Sequence, residues 1–255
     1  MKLTPHEIHL WLAFPNEIKD SELLSAYEKQ MSPEEVAQQK RFRFPKHRHQ
    51  YLITRALVRT TLSRYTQISP HHLRFSKNKY GRPEIVAKEG MPSLRFNLSH
   101  TNDLIVCGIV LKQDIGIDVE HKERNGATID IANRFFSKKE VKDLYAIPEK
   151  ERRDRFFDYW TLKESYIKAR GMGLSLPLEQ FTFHISENKP LQISFEPELH
   201  DDPEQWQFWL LKPTPHHKIA ISVCRKANKP YQLITRKVVP LVGEEAFFCT
   251  VINQS

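Results

Sequence analysis

Two kinds of hydrophobic pattern divide the chain. Short runs that alternate or are continuously apolar predict strands at Glu7–Phe14, Ser93–Ser99, Asp103–Leu111, Ile115–Glu120, Gln180–Ile185, Leu191–Phe195, Gln205–Lys212 and Lys218–Cys224. Longer stretches with apolar residues three and four apart predict helices. Glu22–Gln30 is one, with Ser21 as its N-cap. Ser32-Pro-Glu-Glu35 opens a second: Ser32 caps it, Pro33 takes the first helical position and Glu35 completes a capping box. A third runs from about His47 to Tyr65 on Leu52, Ile53, Ala56, Leu57 and Leu62, and a fourth covers Thr128 to Phe136. Ser137-Lys-Lys-Glu140 repeats the capping-box signature and opens a fifth, to about Ile147. The longest begins near Glu149, carries Phe156, Phe157, Trp160 and Ile167 in one stripe, and ends at Gly171, a residue suited to the position after a helix.

The order strand, helix, long helix, strands occurs twice, and the dividing line falls near Lys112 to Asp114. Strands and helices mix without a strict βαβ rhythm, so the expected class is α+β rather than a doubly wound sheet. The expected organisation is a first half over residues 1–112, a second over 113–224, and an extension over 225–255. That extension reads as an appended tail with one short apolar run, Ala246 to Ile252.

A chain of 255 residues can build a sizeable core. No apolar run approaches the ~18–20 residues that a membrane span needs, and Met1–Glu7 has no signal-peptide pattern, so the expected location is cytoplasmic. Cys107, Cys224 and Cys249 are widely spaced in apolar runs, which predicts buried thiols rather than a metal or redox site. The formal charge of +8 favours an anionic partner. The basic residues are spread out, which weakens a nucleic-acid reading.

The chemistry concentrates in two stretches. Alternation puts Asp118 and Glu120 on one face of the strand Ile115–Glu120, where two carboxylates repel unless a cation offsets them. Glu164 and Lys168 are four apart on the longest helix and share a face. Such a pair is ordinarily a surface ion pair. If Glu164 meets Asp118 and Glu120 in space, the three make an oxygen site suited to Mg²⁺. Lys163 points about 100° away from Glu164 and has a lesser expected role. Lys46, His47, Arg48, His49 and Arg55 crowd the start of the third helix as a candidate anion-facing surface, and Gly81-Arg82-Pro83 isolates an arginine in a turn.

Gly81-Arg-Pro83, Phe96-Asn-Leu-Ser-His100, Ile115-Gly-Ile-Asp-Val-Glu120, Arg134-Phe-Phe-Ser-Lys138 and Trp160-Thr-Leu-Lys-Glu-Ser-Tyr-Ile-Lys168 follow one another in that order. Together they resemble the 4′-phosphopantetheinyl transferases of the surfactin-synthetase type, from about Ser32 to Cys224. The resemblance implies two similar α+β subdomains related by a pseudo-twofold axis in one chain, hence a monomer, with coenzyme A in the cleft between them. It implies transfer of 4′-phosphopantetheine from coenzyme A to a serine of an apo acyl or peptidyl carrier protein, with release of 3′,5′-adenosine bisphosphate. By the same resemblance Asp118, Glu120 and Glu164 hold Mg²⁺, and Lys168 reaches the phosphates. Glu164, or a water held by the ion, is the candidate base. His100 binds the 3′-phosphate of coenzyme A with Ser99 and Asn97 nearby. Arg82 grips the nucleotide phosphates, and Lys46 and Arg48 supply the basic arm of the first half. Glu140 matches an acid of the family pattern, although its capping role is the simpler account.

Two other classes compete. A Mg²⁺-dependent nuclease would use the paired acids and the positive charge. A non-catalytic module that binds coenzyme A or a carrier would not need both Glu164 and Lys168. The expected partners are coenzyme A and carrier domains, with neither nucleic acid nor membrane. The sequence leaves the physiological carrier open.

Overall fold

The computed structural model describes residues 1–124, 129–186, 188–225 and 229–255. The first half runs β1 (Glu7–Ala13), α1 (Ser21–Glu28), α2 (Pro33–Arg41), α3 (Pro45–Thr66), β2 (Phe75–Lys77), β3 (Pro83–Ile85), β4 (Leu94–Thr101) and β5 (Leu104–Leu111). The second runs β6 (Ile115–His121), α4 (Ala132–Phe135), α5 (Lys138–Ala146), α6 (Glu149–Arg170), β7 (Phe181–Ser186), β8 (Lys189–Phe195), β9 (Trp206–Thr214) and β10 (His217–Cys224). β11 (Gln232–Val239), β12 (Gly243–Ala246) and β13 (Thr250–Gln254) follow.

The two halves repeat one topology. In the first, β1 pairs antiparallel with β5, which pairs antiparallel with β4; in the second, β6, β10 and β9 stand in the same relation. Each half has one helix of 22 residues, α3 or α6, and a small hairpin, β2–β3 or β7–β8. The strands alternate. Ile8, Leu10 and Leu12 of β1 meet Ile115, Ile117 and Val119 of β6 in a core between the two sheets. Trp11 and Ala13 turn the other way, onto Ile53, Ala56 and Leu57 of α3. On the far side α6 buries Phe156, Phe157, Leu162 and Tyr166 in a third cluster. The layers are therefore helices, sheet, sheet, helices, a mixed α+β architecture.

At the junction of the halves, side chains stand in for a strand pairing. Asn97 Oδ1 accepts from Ile117 N at 2.9 Å, Ser99 Oγ from Val119 N at 3.3 Å and Thr101 Oγ1 from His121 N at 3.3 Å. Alternate residues of β4 thus satisfy alternate amides along β6, whose buried N–H groups need acceptors.

Local signals hold well. Both capping boxes form, at Ser32 and Ser137, and Gly171 ends α6 at φ 64°. Four details differ from expectation. The cap of α1 is Asp20, whose Oδ1 accepts from Leu23 N at 2.7 Å, and Ser21 is already helical. His100 lies within β4 rather than in a loop, because the turn needs only Asn102 and Asp103, the latter at φ 62°. The stretch expected as one helix from Thr128 to Phe136 is a 3₁₀ turn, Ile129–Ile131, followed by α4; Thr128 lies outside the described residues. The stretch after Arg225 is woven into both sheets: β11 lies parallel to β1, β12 pairs with β11, and β13 pairs with β9.

Candidate active site

β6 and α6 approach closely because of one glycine. A Cβ at Gly116 would overlap the Ser165 carbonyl and the Ala169 amide. Gly116, Asp118 and Glu120 share a face, so the close contact aims both carboxylates at the helix that carries Glu164 and Lys168. Lys168 Nζ stands 2.6 Å from Asp118 Oδ1 and donates to Ser99 Oγ at 3.1 Å. Ser99 in turn donates to Asp118 Oδ1 at 3.0 Å. Glu120 pairs with Arg124 at 3.2 Å.

The carboxylates are more than their cations can satisfy. Asp118 is 5 % exposed and its Oδ2 is buried without a hydrogen-bond partner. Burial, and then the nearby Asp118 charge, push the Glu120 carboxyl up to about 7, against the pull of Arg124, Lys168 and the Trp160 indole. The same two causes push Glu164 up to about 7, opposed by Lys168 and Arg124. Glu120 and Glu164 both feel the charge of Asp118, but the ligand atoms of the three do not all lie within 4.8 Å of one another, so a hard divalent cation would have to draw them together around the orphaned Asp118 oxygen.

The other expected site residues fall into two groups. Ser99 joins the cluster directly, and Asn97 holds β6 beside it. His100 follows on β4; it is exposed, yet the surrounding protein and the Lys168 cation push its imidazole below the ordinary value. Lys46 reaches the β4–β5 turn, with Nζ 3.3 Å from Asn102 Oδ1. Arg82 lies at the seam. It donates to Ala169 O at 3.0 Å and pairs with Glu84 at 3.0 Å and Asp114 at 3.2 Å. A cavity of about 210 Å³ opens there, lined by Arg82, Glu84, Met91, Arg95, Asp114 and Ile115 among others. Arg48 is not brought to the cluster; its guanidinium donates to Arg43 O at 3.4 Å. His49 turns toward Pro15 O at 3.0 Å, and Arg55 pairs with Glu35.

Several residues have supporting roles that their sequence context does not state. Gln50 on α3 donates to Thr101 O at 2.7 Å and ties the helix to the end of β4. Arg124 meets Glu120 across a turn, not along a helix, so no periodicity marks it. Lys163 is fully buried. Its Nζ lies 2.7 Å from Glu140 Oε2 and donates to Leu178 O and Phe181 O, each at 2.7 Å. Glu140 therefore caps α5 and also anchors α6. Burial pushes Glu140 up and Lys163 down, and their mutual attraction opposes both shifts. The signal available was the separation of about 100° from Glu164, which turns Lys163 onto a different face of α6.

The family described as the 4′-phosphopantetheinyl transferase superfamily matches residues 114–224, and one described as 4′-phosphopantetheinyl transferase, N-terminal, matches 19–109. The chain is 35% identical to the 4′-phosphopantetheinyl transferase Sfp of Bacillus subtilis, over 75% of this chain and 81% of that protein. It is 32% identical to the 4′-phosphopantetheinyl transferase HetI of Nostoc, over 77% of this chain and 82% of that protein. It is 27% identical to the mouse L-aminoadipate-semialdehyde dehydrogenase-phosphopantetheinyl transferase, over 88% of this chain and 76% of that protein. These relatives define a class of group-transfer enzymes. The chain belongs to the 4′-phosphopantetheinyl transferase superfamily, and its activity is transfer of 4′-phosphopantetheine to carrier proteins.

Proposed function

We propose that the enzyme moves the phosphopantetheine arm of coenzyme A onto a carrier serine from a site between β6 and α6. The single observation that carries this reading is the contact of Lys168 and Ser99 with Asp118, whose Oδ2 is buried and unpaired. The serine oxygen forms a bond to the β-phosphorus of the coenzyme A pyrophosphate. The bond from that phosphorus to the bridging oxygen breaks, and 3′,5′-adenosine bisphosphate leaves. Positioning and charge stabilisation dominate such a step. Asp118, Glu120 and Glu164 would hold Mg²⁺, which supplies charge neutralisation of the pyrophosphate when bound. Lys168, one helical turn from Glu164, meets the same phosphates as a point charge. Glu164, or a water held by the ion, would take the serine proton.

The nucleotide lies along the seam. His100 and Lys46 take its 3′-phosphate side, Ser99 and Asn97 shape the floor, and Arg82 with its cavity receives the other end. Arg48 contributes charge at a distance. Both halves lie in one chain, so the enzyme works as a monomer, with residues 1–112 and 113–224 as its two subdomains and residues 225–255 tying their sheets together. No helix among the described residues is long and apolar enough to cross a membrane. Buried thiols at Cys107 and Cys249 suit a reducing compartment, which supports a cytoplasmic location. The formal charge of +8 supports acidic carrier domains from more than one synthase class.

The test is incubation of the purified chain with coenzyme A, Mg²⁺ and an apo carrier domain. The expected products are carrier bearing phosphopantetheine on its serine and an equal amount of 3′,5′-adenosine bisphosphate. Unmodified carrier with intact coenzyme A, or cleavage of DNA or RNA in its place, would overturn the reading.

A further inference from the structure

We infer that the protein carries a second metal site, for Zn²⁺ or a similar borderline-soft divalent ion, formed by His121, Glu123 and His216. Among the described residues these are the only three His, Cys, Asp or Glu side chains whose ligand atoms all lie within 4.8 Å of one another. They come from two separate segments. His121 ends β6, Glu123 lies two residues on, and His216 sits in the turn between β9 and β10.

The backbone beneath them is fixed. Lys122 N donates to His216 O at 2.9 Å, which binds the two segments together. Arg124 N donates to His121 O at 3.0 Å and closes the turn. Arg153 of α6 clamps it from below, donating to Lys122 O at 2.8 Å and Arg124 O at 2.6 Å. His217 packs edge-on against His121 with ring centroids 4.9 Å apart; its Nε2 donates to Asn102 O at 2.7 Å and its Nδ1 meets the Thr214 hydroxyl at 2.7 Å. His121 is thereby held, its Nδ1 accepting from Glu123 N at 3.3 Å, while Glu123 and His216 are exposed and the His216 ring stacks on His121 with centroids 5.7 Å apart.

Charge and chemistry both suit a cation. The two basic residues of the turn are engaged elsewhere: Lys122 faces Asp154 at 3.6 Å and Arg124 faces Glu120 at 3.2 Å. His216 Nδ1 already lies 2.9 Å from Glu123 Oε1. Two imidazoles and a carboxylate select Zn²⁺ over Mg²⁺, which prefers oxygen alone. Metal–nitrogen bonds of ~2.0–2.1 Å need ligand atoms drawn together by about 1 Å, a movement that two exposed side chains can make. Three protein ligands leave a fourth position to water. The ion would staple the end of β6 to the β9–β10 turn. Asp118 and Glu120 face α6 from the other side of the same strand, so the two metal sites are distinct.

The test is calorimetric titration of the full chain, without an affinity tag, with ZnCl₂ in the presence of excess Mg²⁺. Wild type should bind one equivalent. His216→Ala and Glu123→Gln should each weaken binding at least tenfold, and Asp118→Asn should leave it unchanged. His216→Ala should keep wild-type phosphopantetheine transfer with Mg²⁺, which shows that it is folded. Equal zinc affinity in His216→Ala and wild type, no binding by wild type, or loss of binding in Asp118→Asn would overturn the inference.

Discussion

β1 with α3 and β6 with α6 occupy equivalent places in the two halves, yet the space between strand and helix is used in opposite ways. On β1 the face turned to α3 carries His9, Trp11 and Ala13. Trp11 fills the gap, and its indole N–H and His9 both meet the Tyr65 hydroxyl, at 3.1 and 2.6 Å. On β6 the corresponding face carries Gly116, Asp118 and Glu120. The glycine brings the helix in, and the two acids face Glu164 and Lys168 instead of an aromatic ring. One half spends its inner face on packing. The other places two carboxylates there, one with an unpaired buried oxygen, an arrangement that costs stability and supports the proposed binding site.

Substitutions at the equivalent strands should therefore separate stability from activity. The largest effect belongs to the second half. Asp118→Ala should lower transfer more than a thousandfold, about 4 kcal/mol of transition-state stabilisation, in a protein that still unfolds cooperatively. Rates within tenfold of wild type would break the comparison. Trp11→Ala should do the reverse: a stability loss of about 3–5 kcal/mol in denaturant unfolding, with the KM for coenzyme A little changed. A variant as stable as wild type would mean that the ring is not the filler it looks to be.

An intermediate effect tests the ion pair that anchors α6. Lys163→Met leaves Glu140 buried without its cation and should cost about 3–5 kcal/mol, whereas Lys163→Met with Glu140→Leu should recover much of that loss. A double variant no better than the single one would show that the pair is not the reason for the cost.

A smaller effect concerns pH. Glu120 and Glu164 titrate near 7 in the folded chain and near the ordinary 4.5 unfolded. Between those values the native state holds more protons, so their ionisation erodes stability as pH rises from about 4.5 to about 7. A divalent ion opposes that erosion and competes with the protons. The rise in Tm on adding Mg²⁺ should be larger at pH 8 than at pH 5.5. An equal rise at both would place the ion away from these acids.

How much of this was legible in the sequence depends on range. The capping boxes at Ser32 and Ser137 and the stop at Gly171 are local, and each formed where its residues stand. The faces that carry Asp118 with Glu120 and Glu164 with Lys168 were legible because a two-residue period on one element and a four-residue period on another are both local; the Asp118–Lys168 contact was not, and depends on the approach that Gly116 allows. β11 was not legible. Its partner is β1, with Glu7 opposite Gln232, and its half-buried residues lack clear alternation. Arg124, Gln50 and the Lys163–Glu140 contact depend on turns and on the packing of separate elements, which no spacing encodes. The β4 ladder of Asn97, Ser99 and Thr101 shows alternation, but its role depends on β6 lying alongside.

The central claim is that the space filled by Trp11 in one half is a divalent-cation site in the other. Mn²⁺, an oxygen-seeking stand-in for Mg²⁺ visible by electron paramagnetic resonance, tests it without reference to turnover. Titration of the His216→Ala chain, in which the imidazole cluster is disabled, should show one bound Mn²⁺. Adding Asp118→Asn or Glu164→Gln should weaken it at least tenfold, and adding Trp11→Phe should not. Mn²⁺ held equally well after loss of Asp118 and Glu164 would contradict the account.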